Sequence, residues 1–170
     1  MILRAALANW DGRTAQDIRA IHEDHHSASG YLADILALAS DPALEVGATW
    51  LLKQGLERGA FTLTKEEAAT LLKAARAFEA PDATLHILQI VPQMDIPEEA
   101  IPDLLGILHL AEASPRTFLR AWAYTGWHTL AVQHPAFREE VASRLRTGAQ
   151  TETAASARVR IRKAIEAGLP

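Results

Sequence analysis

Four short segments of the chain align with one another at nearly constant spacing. Residues 49–53 read TWLLK, residues 85–89 read LHILQ and residues 121–125 read AWAYT, so each segment begins 36 residues after the one before. A fourth segment, VRIRK at residues 159–163, follows after 38 residues. Spacing of this size is typical of helical repeat proteins, in which each helical hairpin buries its apolar face against the next.

Signals for helix starts lie between these segments. Thr64 with Glu67 has the pattern of a capping box. Asp41-Pro42 and Ser114-Pro115 each place a side-chain acceptor before a proline, which favours a helix that begins at the proline. Between the signals, apolar residues recur every three or four positions, and no stretch shows the sustained alternation of a strand. The sequence therefore predicts an all-α protein.

The predicted helices pair into hairpins. About four hairpins are expected within residues 29–167, and two helices within residues 1–28 are expected to cap the first. Pro102 fits poorly inside its helix, which is predicted either to kink there or to begin only after Glu99. Short connections favour antiparallel packing in one domain, residues 1–170. The predicted helices lie at about residues 2–9, 14–25, 29–39, 42–57, 64–78, 81–91, 97–111, 115–133, 136–147 and 153–166.

The composition narrows the function classes. Of the 170 residues, 49% are hydrophobic and 22% are charged, which suffices for a folded core. The formal net charge of −4 gives no general attraction to nucleic acid or to an anionic membrane. Because the chain has no cysteine, disulfides, Cys-ligated zinc, iron–sulfur clusters and thiol catalysis are excluded. No membrane-spanning run or signal-peptide pattern is found, so a cytoplasmic protein without membrane contact is expected.

Two segments resemble the second helix of HEAT repeats. Residues 115–123, PRTFLRAWA, and residues 156–164, SARVRIRKA, are similar to the family pattern of a turn, a small or β-branched residue, an arginine, and then alanine and leucine. The resemblance extends over about residues 29–167, although Ala48 and Thr84 stand where the first two repeats would carry the arginine. The whole chain is also similar to a group of small bacterial HEAT-like proteins with no assigned activity. The resemblance implies a right-handed α-α superhelix, and it implies no particular activity.

One position of the aligned segments defines a candidate binding stripe. In a helical solenoid the second helices line the concave face, so equivalent positions of successive repeats lie side by side. Tryptophan and arginine dominate the energetics of protein interfaces, which favours a surface for a helix or peptide. The alternative is that both tryptophans of the stripe pack in the core between repeats. The predicted partner-binding residues are Trp50, Lys53, His86, Gln89, Trp122 and Arg160.

Charge is unevenly distributed along the chain. Residues 77–115 contain seven Asp or Glu and no Lys or Arg, whereas the last predicted helix carries Arg158, Arg160, Arg162 and Lys163. A basic helix can contact phosphates, and HEAT-like DNA glycosylases exist, so a nucleic-acid-associated protein is an alternative function. Ion pairs between these arginines and glutamates of neighbouring repeats are the other interpretation.

Residues 22–26, HEDHH, satisfy the HExxH pattern of zinc hydrolases, with His22 and His26 as ligands and Glu23 as general base. Asp24 and His25 stand where a metalloprotease helix normally buries uncharged residues, and no third ligand is evident. A solvated helix end, with the histidines beside the C-terminal dipole, is the alternative. The sequence thus predicts no metal ligand, cofactor or catalytic residue. It predicts a non-enzymatic interaction or scaffold module, with metal-dependent hydrolysis as a further alternative.

Overall fold

The computed structural model describes residues 2–169 and is predominantly helical. Within that range the chain forms ten α-helices, three short 3-10 turns and no strand, so the prediction of an all-α fold is confirmed. No helix in this range combines the length and apolar character that crossing a bilayer requires. The helices are α1 (Ile2–Asn9), α2 (Ala15–His25), α3 (Tyr31–Ala39), α4 (Glu45–Glu57), α5 (Lys65–Ala75), α6 (Pro81–Ile90), α7 (Ile101–Glu112), α8 (Thr117–Gln133), α9 (Arg138–Thr151) and α10 (Ala155–Ala167).

The predicted capping box begins α5. The Thr64 hydroxyl accepts a hydrogen bond from the backbone N–H of Glu67 at 3.2 Å, and the Glu67 carboxylate accepts one from the N–H of Thr64 at 2.8 Å. The two proline signals lie just before their helices instead, in a turn at residues 42–44 and in a bend at Pro115. Helix α4 begins at residue 45 and α8 at residue 117, which are three and two residues later than predicted.

Both late helix starts have a local cause. The N–H of Leu44 donates to the carbonyl of Asp41 at 2.8 Å, so the first turn closes over three residues and not over the four of an α-helix. Before α8, the guanidinium of Arg120 donates to the carbonyls of Ser114 and Pro115, at 2.8 and 3.1 Å. These carbonyls are therefore satisfied by a side chain outside the helical ladder.

Pro102 lies at the start of α7 and not in its interior. A short 3-10 turn at Glu98–Ala100 precedes the helix, which begins at Ile101. A proline in the first turn leaves no helical hydrogen bond unmade, because the first amides of a helix have no partner within it. Of the two predicted alternatives, the later start is confirmed.

Most helices pack on the corresponding helix of the next hairpin. Helix α2 packs on α4, α4 on α6, α6 on α8 and α8 on α10, which forms a layer of second helices. Helix α3 packs on α5, and α5 on α7, in the other layer. The helices of each hairpin also contact one another, from α1 with α2 to α9 with α10. The principal contacts therefore run between neighbouring hairpins along the chain.

Side-chain hydrogen bonds follow the same spacing. Among residues 2–169, every side-chain hydrogen bond between residues more than 15 apart joins residues that are 26 to 40 apart. Arg120 Nε, for example, donates to Glu152 at 2.9 Å, and Gln133 Nε2 donates to the carbonyl of Met94 at 2.8 Å. Each such bond ties one hairpin to the next.

Helix α8 comes unusually close to its neighbours at Gly126. A Cβ atom at this glycine would lie 2.5 Å from Cδ2 of Leu108 in α7 and 3.9 Å from Cδ2 of Leu88 in α6. The adjacent Trp127 is fully buried. The apolar core continues through all of the hairpins, from Leu3 to Ala164. The missing side chain at Gly126 thus allows the close approach of α8 to α7, while the distance to α6 is that of an ordinary contact.

Candidate interaction surface

The four residues of the predicted stripe lie on four successive second helices: Trp50 on α4, His86 on α6, Trp122 on α8 and Arg160 on α10. All four side chains are partly exposed. Both tryptophans also pack against the core, so each has one side inward and one side toward solvent. We call this exposed side of α4, α6, α8 and α10 the second-helix face.

Direct contact joins α4 to α6 beside the stripe. The Thr49 hydroxyl donates to the carbonyl of Glu45 at 2.7 Å, and His86 Nδ1 lies 3.0 Å from the same hydroxyl oxygen. Because the hydroxyl has only one hydrogen, this geometry assigns the proton to Nδ1 of His86. Burial, with a smaller contribution from the charge of nearby Lys53, lowers the pKa of His86 to about 4. His86 is therefore a neutral hydrogen-bond donor at neutral pH.

Lys53 and Gln89 lie one turn further along the same two helices and are both partly exposed. Lys53 Nζ forms an ion pair with Glu57 at 2.9 Å, four residues along α4. These side chains give the α4–α6 part of the face a polar border. All six predicted residues thus lie on second helices and are partly exposed.

A cation–π pair joins α8 to α10. The guanidinium carbon of Arg160 lies 3.5 Å from the centroid of the Trp122 ring. Burial lowers the pKa of Arg160 below its ordinary value, although the group remains charged at any physiological pH. Within residues 2–169 no carboxylate forms an ion pair with this guanidinium.

The residue that sequence reasoning missed is Phe118. It belongs to the apolar series of α8, yet its side chain is 65% exposed. It precedes Trp122 by four residues and therefore lies on the same side of the helix. The available signal was this four-residue spacing, together with its place 36 residues after Asp82 at the equivalent position of α6. Phe118 extends the second-helix face by one turn.

Trp127, on the same helix, belongs to the core. Its ring is fully buried, its Nε1 donates to Glu112 at 3.2 Å, and the guanidinium of Arg144 lies 4.2 Å from the ring centroid. Arg144 in turn forms an ion pair with Glu112 at 2.8 Å. The aromatic content of α8 is therefore divided between the core and the second-helix face.

The basic residues of α10 differ in their surroundings, because Arg160 contacts Trp122 whereas the other three are exposed. Arg158, Arg162 and Lys163 are exposed, and Arg158 and Arg162 border a shallow cavity of about 590 Å³ at the end of the stack. The interpretation that the α10 arginines pair with glutamates of neighbouring repeats is wrong within the described residues. Arg162 contacts Glu166 of its own helix at 3.8 Å. Ion pairs between neighbouring hairpins instead involve residues outside α10's basic series, among them Arg120 with Glu152 and Arg144 with Glu112.

The HExxH segment is tied into local contacts at the end of α2. His22 is 2% exposed and its Nδ1 lies 3.0 Å from the hydroxyl of Tyr31. His26 Nδ1 lies 3.0 Å from the carbonyl of Glu23, whose carboxylate pairs with Arg58. Burial lowers the pKa of His22. Within the described part of the chain, no group of three or more His, Cys, Asp or Glu side chains is arranged to hold a metal ion.

No protein-family model, curated protein or solved structure matches this chain. The described residues form an all-α protein of sequentially packed helical hairpins. Its function must be inferred from the chemistry of its surface.

Proposed function

We propose that this protein is a HEAT-like α-solenoid acting as a non-enzymatic interaction or scaffold module in the cytoplasm. It binds a protein or peptide on the second-helix face. The observation that carries the proposal is the partial exposure of Trp50, His86, Trp122 and Arg160 on four successively packed helices.

The packing order supports the solenoid part of the proposal. Hairpins contact their neighbours in sequence, and side-chain hydrogen bonds span 26 to 40 residues, close to the 36-residue offset of the aligned segments. In a globular fold of another kind, elements distant in the chain would also meet. Stacking that is limited to neighbours is the defining property of repeat solenoids, and a right-handed superhelix is the form expected for it.

The side chains support the binding part. Half-exposed tryptophans that are held on one side by the core offer large apolar area at low entropic cost on binding, and arginine adds directional charge. Phe118 adds a second aromatic ring beside Trp122. Exposed bulky aromatics are expected where a partner covers them. The face is therefore suited to an extended or helical segment crossing the second helices.

The proposal is tested by photo-cross-linking in the native host. A benzophenone amino acid is placed at position 118, on the second-helix face, and in a matched protein at position 110. Leu110 is an equally exposed apolar residue, 68% against 65%, but belongs to first helix α7. We expect a discrete protein adduct from position 118 and none from position 110. Equal adduct patterns from both positions would contradict the proposal.

Nucleic-acid association is the second candidate, favoured by the exposed Arg158, Arg162 and Lys163 on α10. The net charge of −4 opposes it, because a polyanion is attracted only to a sufficiently basic surface. A gel shift with random-sequence duplex DNA at low salt distinguishes the two functions. Binding that is abolished by Arg158→Gln would favour this candidate, and no shift would eliminate it.

Hydrolysis at His22, Glu23 and His26 receives less support, since the contacts of all three side chains lie within the protein. Metal analysis of protein purified without chelators checks this alternative. We expect less than stoichiometric zinc, and a content unchanged by His22→Gln. One zinc per chain that is lost in this variant would restore the hydrolase interpretation.

A further inference from the structure

We infer that the α8–α10 part of the second-helix face binds an acidic segment of a protein partner, with a partner carboxylate at Arg160 and an adjacent apolar side chain on Phe118. The inference rests on the proposed function and adds the chemical class of the partner. It is carried by a partly buried arginine that lacks a counter-charge and by an exposed aromatic ring on the neighbouring helix.

Arg160 differs from Arg120 and Arg144, the two partly buried arginines that pair with a carboxylate. Among the described residues Arg138 is partly buried and unpaired as well, but its Nε is enclosed by the protein. Arg120 forms an ion pair with Glu152 at 2.9 Å, and Arg144 forms one with Glu112 at 2.8 Å. Arg160, also partly buried, has the ring of Trp122 as its partner and no carboxylate among the described residues. Removing a charge from water without pairing it is unfavourable, so a partner carboxylate would complete the site.

The contact with the Trp122 ring orients the Arg160 guanidinium for binding a carboxylate. A guanidinium lying flat on an indole ring keeps its N–H donors at its edge, where a carboxylate can accept two of them in parallel. No hydrogen bond from the Arg160 guanidinium to residues 2–169 occupies these donors, and the guanidinium nitrogens are not sealed from solvent. Because the side chain is already ordered by Trp122, binding loses less conformational entropy than it would with a mobile arginine.

The surrounding charges favour one short acidic segment. Lys163 follows Arg160 by three residues on α10 and is exposed, so two positive groups lie on neighbouring turns. On the other side, α6 carries Asp82 at the position equivalent to Phe118. A long polyanion such as nucleic acid that crossed the second helices from α10 to α6 would meet this carboxylate. A segment with one or two carboxylates and a bulky apolar residue fits the basic and aromatic parts together.

The experiment uses the full chain and a library of random linear peptides displayed on phage. We expect the selected peptides to be enriched in Asp or Glu close to Phe, Trp or Leu. In fluorescence anisotropy with a labelled selected peptide, Arg160→Gln should weaken binding about tenfold or more, as expected for loss of a charge-assisted contact. The matched variant Arg158→Gln removes a charge from an exposed arginine of the same helix and should change the affinity less than about twofold.

Two further variants guard against loss of the fold. Phe118→Ser changes an exposed residue, and its affinity loss should be comparable to that of Arg160→Gln while the helical circular dichroism is unchanged. Arg160→Glu should convert the preference from acidic to basic peptides. A preserved preference for acidic peptides in Arg160→Glu would overturn the inference.

The outcomes separate this inference from the proposed function. Selected peptides that lack acidic enrichment but lose binding with Phe118→Ser would overturn the inference and leave the interaction module standing. Peptides that bind every variant equally, or a selection that enriches nothing over the empty matrix, would contradict both. Binding of random duplex DNA at low salt that depends on Arg160 would assign the site to phosphate and overturn the acidic-peptide inference.

Discussion

At the residue scale, His86 shows how one polar contact fixes a protonation state. Its Nδ1 proton is held by the Thr49 hydroxyl at 3.0 Å, and the side chain is partly buried between α4 and α6. The nearest charges differ in their effects on the pKa, because Lys53 lowers it while Asp82 and Glu57 raise it. Burial exceeds all of them, so the neutral ring is strongly preferred in the folded protein.

This preference makes stability depend on pH. His86 titrates at 6.5 when unperturbed and at about 4 in the folded protein, so as pH falls between these values the unfolded chain takes up the proton first. The contribution of His86 to the free energy of unfolding is fully present above pH 6.5. It falls by on the order of 3 kcal/mol by about pH 4. Urea denaturation followed by circular dichroism from pH 7 to pH 4 measures the slope.

His86→Gln should flatten this pH dependence. Some slope remains, because the lowered pKa of His22 acts in the same direction. A variant with the same slope as the unchanged protein would show that folding does not lower the pKa of His86.

Glu45 gives a second prediction at this scale. It is 2% exposed, and its Oε1 accepts backbone hydrogen bonds from Glu79, at 3.0 Å, and from Ala80 in the connection before α6. Glu45→Ala should lower the free energy of unfolding by about 2–4 kcal/mol, because two backbone donors lose their partner. Glu45→Gln retains an acceptor oxygen and should cost less.

The matched control is Glu57→Ala in the same helix. Glu57 is exposed and, among the described residues, forms an ion pair only with Lys53, so its removal should cost less than about 1 kcal/mol. Equal losses for the two alanine variants, measured by urea denaturation at neutral pH, would refute a special role for Glu45.

At the scale of elements, the sequence predicted which helices exist better than where they begin. The capping box at Thr64 could be identified because both of its hydrogen bonds are local. The start of α8 could not, because the carbonyls of Ser114 and Pro115 are taken by Arg120, which lies on the following helix turns. An Asp-Pro or Ser-Pro pair marks a position at which a helix can begin. Hydrogen bonds from nearby side chains decide whether the backbone hydrogen bonds of the helix extend back to that position.

The same distinction applies to the second-helix face. Constant spacing of the aligned segments predicted that Trp50, His86, Trp122 and Arg160 lie on successive helices, since equivalent positions of repeats stack. It did not predict that Arg160 covers Trp122 while Phe118 remains exposed. Periodicity specifies the side of a helix, but burial near a helix end depends on how far the neighbouring helices extend.

Gly126 provides the prediction for helix packing. Gly126→Val inserts a branched side chain where even a Cβ would lie 2.5 Å from Leu108. Overpacking of this kind costs about 1–3 kcal/mol, and valine brings little helix propensity to offset it. The control is Thr125→Val, a similar side chain on the same helix at a partly exposed position, which should change stability by less than about 1 kcal/mol.

Thermal unfolding of the two variants, followed by circular dichroism, makes the comparison. A stabilised Gly126→Val would mean that α7 can move aside without loss and that the close approach of α8 has no packing role.

At the scale of the whole molecule, the principal contacts join neighbouring hairpins, and this arrangement predicts graded unfolding. Stability in such a stack is approximately a sum of hairpin terms and interface terms, so a local defect weakens its own end first. Ile18 in α2 and Ile161 in α10 are both buried and lie at opposite ends. Each can therefore serve as the control for the other.

Ile18→Ala and Ile161→Ala should each cost about 2–5 kcal/mol locally. Native-state hydrogen exchange by mass spectrometry should show faster exchange of α1–α4 in the first variant and of α8–α10 in the second. Uniform acceleration along the whole chain in either variant would indicate a single cooperative unit and contradict the stack of semi-independent hairpins.

The 26-to-40-residue span of the side-chain hydrogen bonds also bears on how the protein is made. Each hairpin has most of its native partners within reach once about 40 further residues have been synthesised, so structure can accumulate on the ribosome from the N-terminal side. Apolar surface left open by one hairpin is covered by the next as it emerges. The growing chain therefore exposes at any moment little more than one unfinished edge to aggregation.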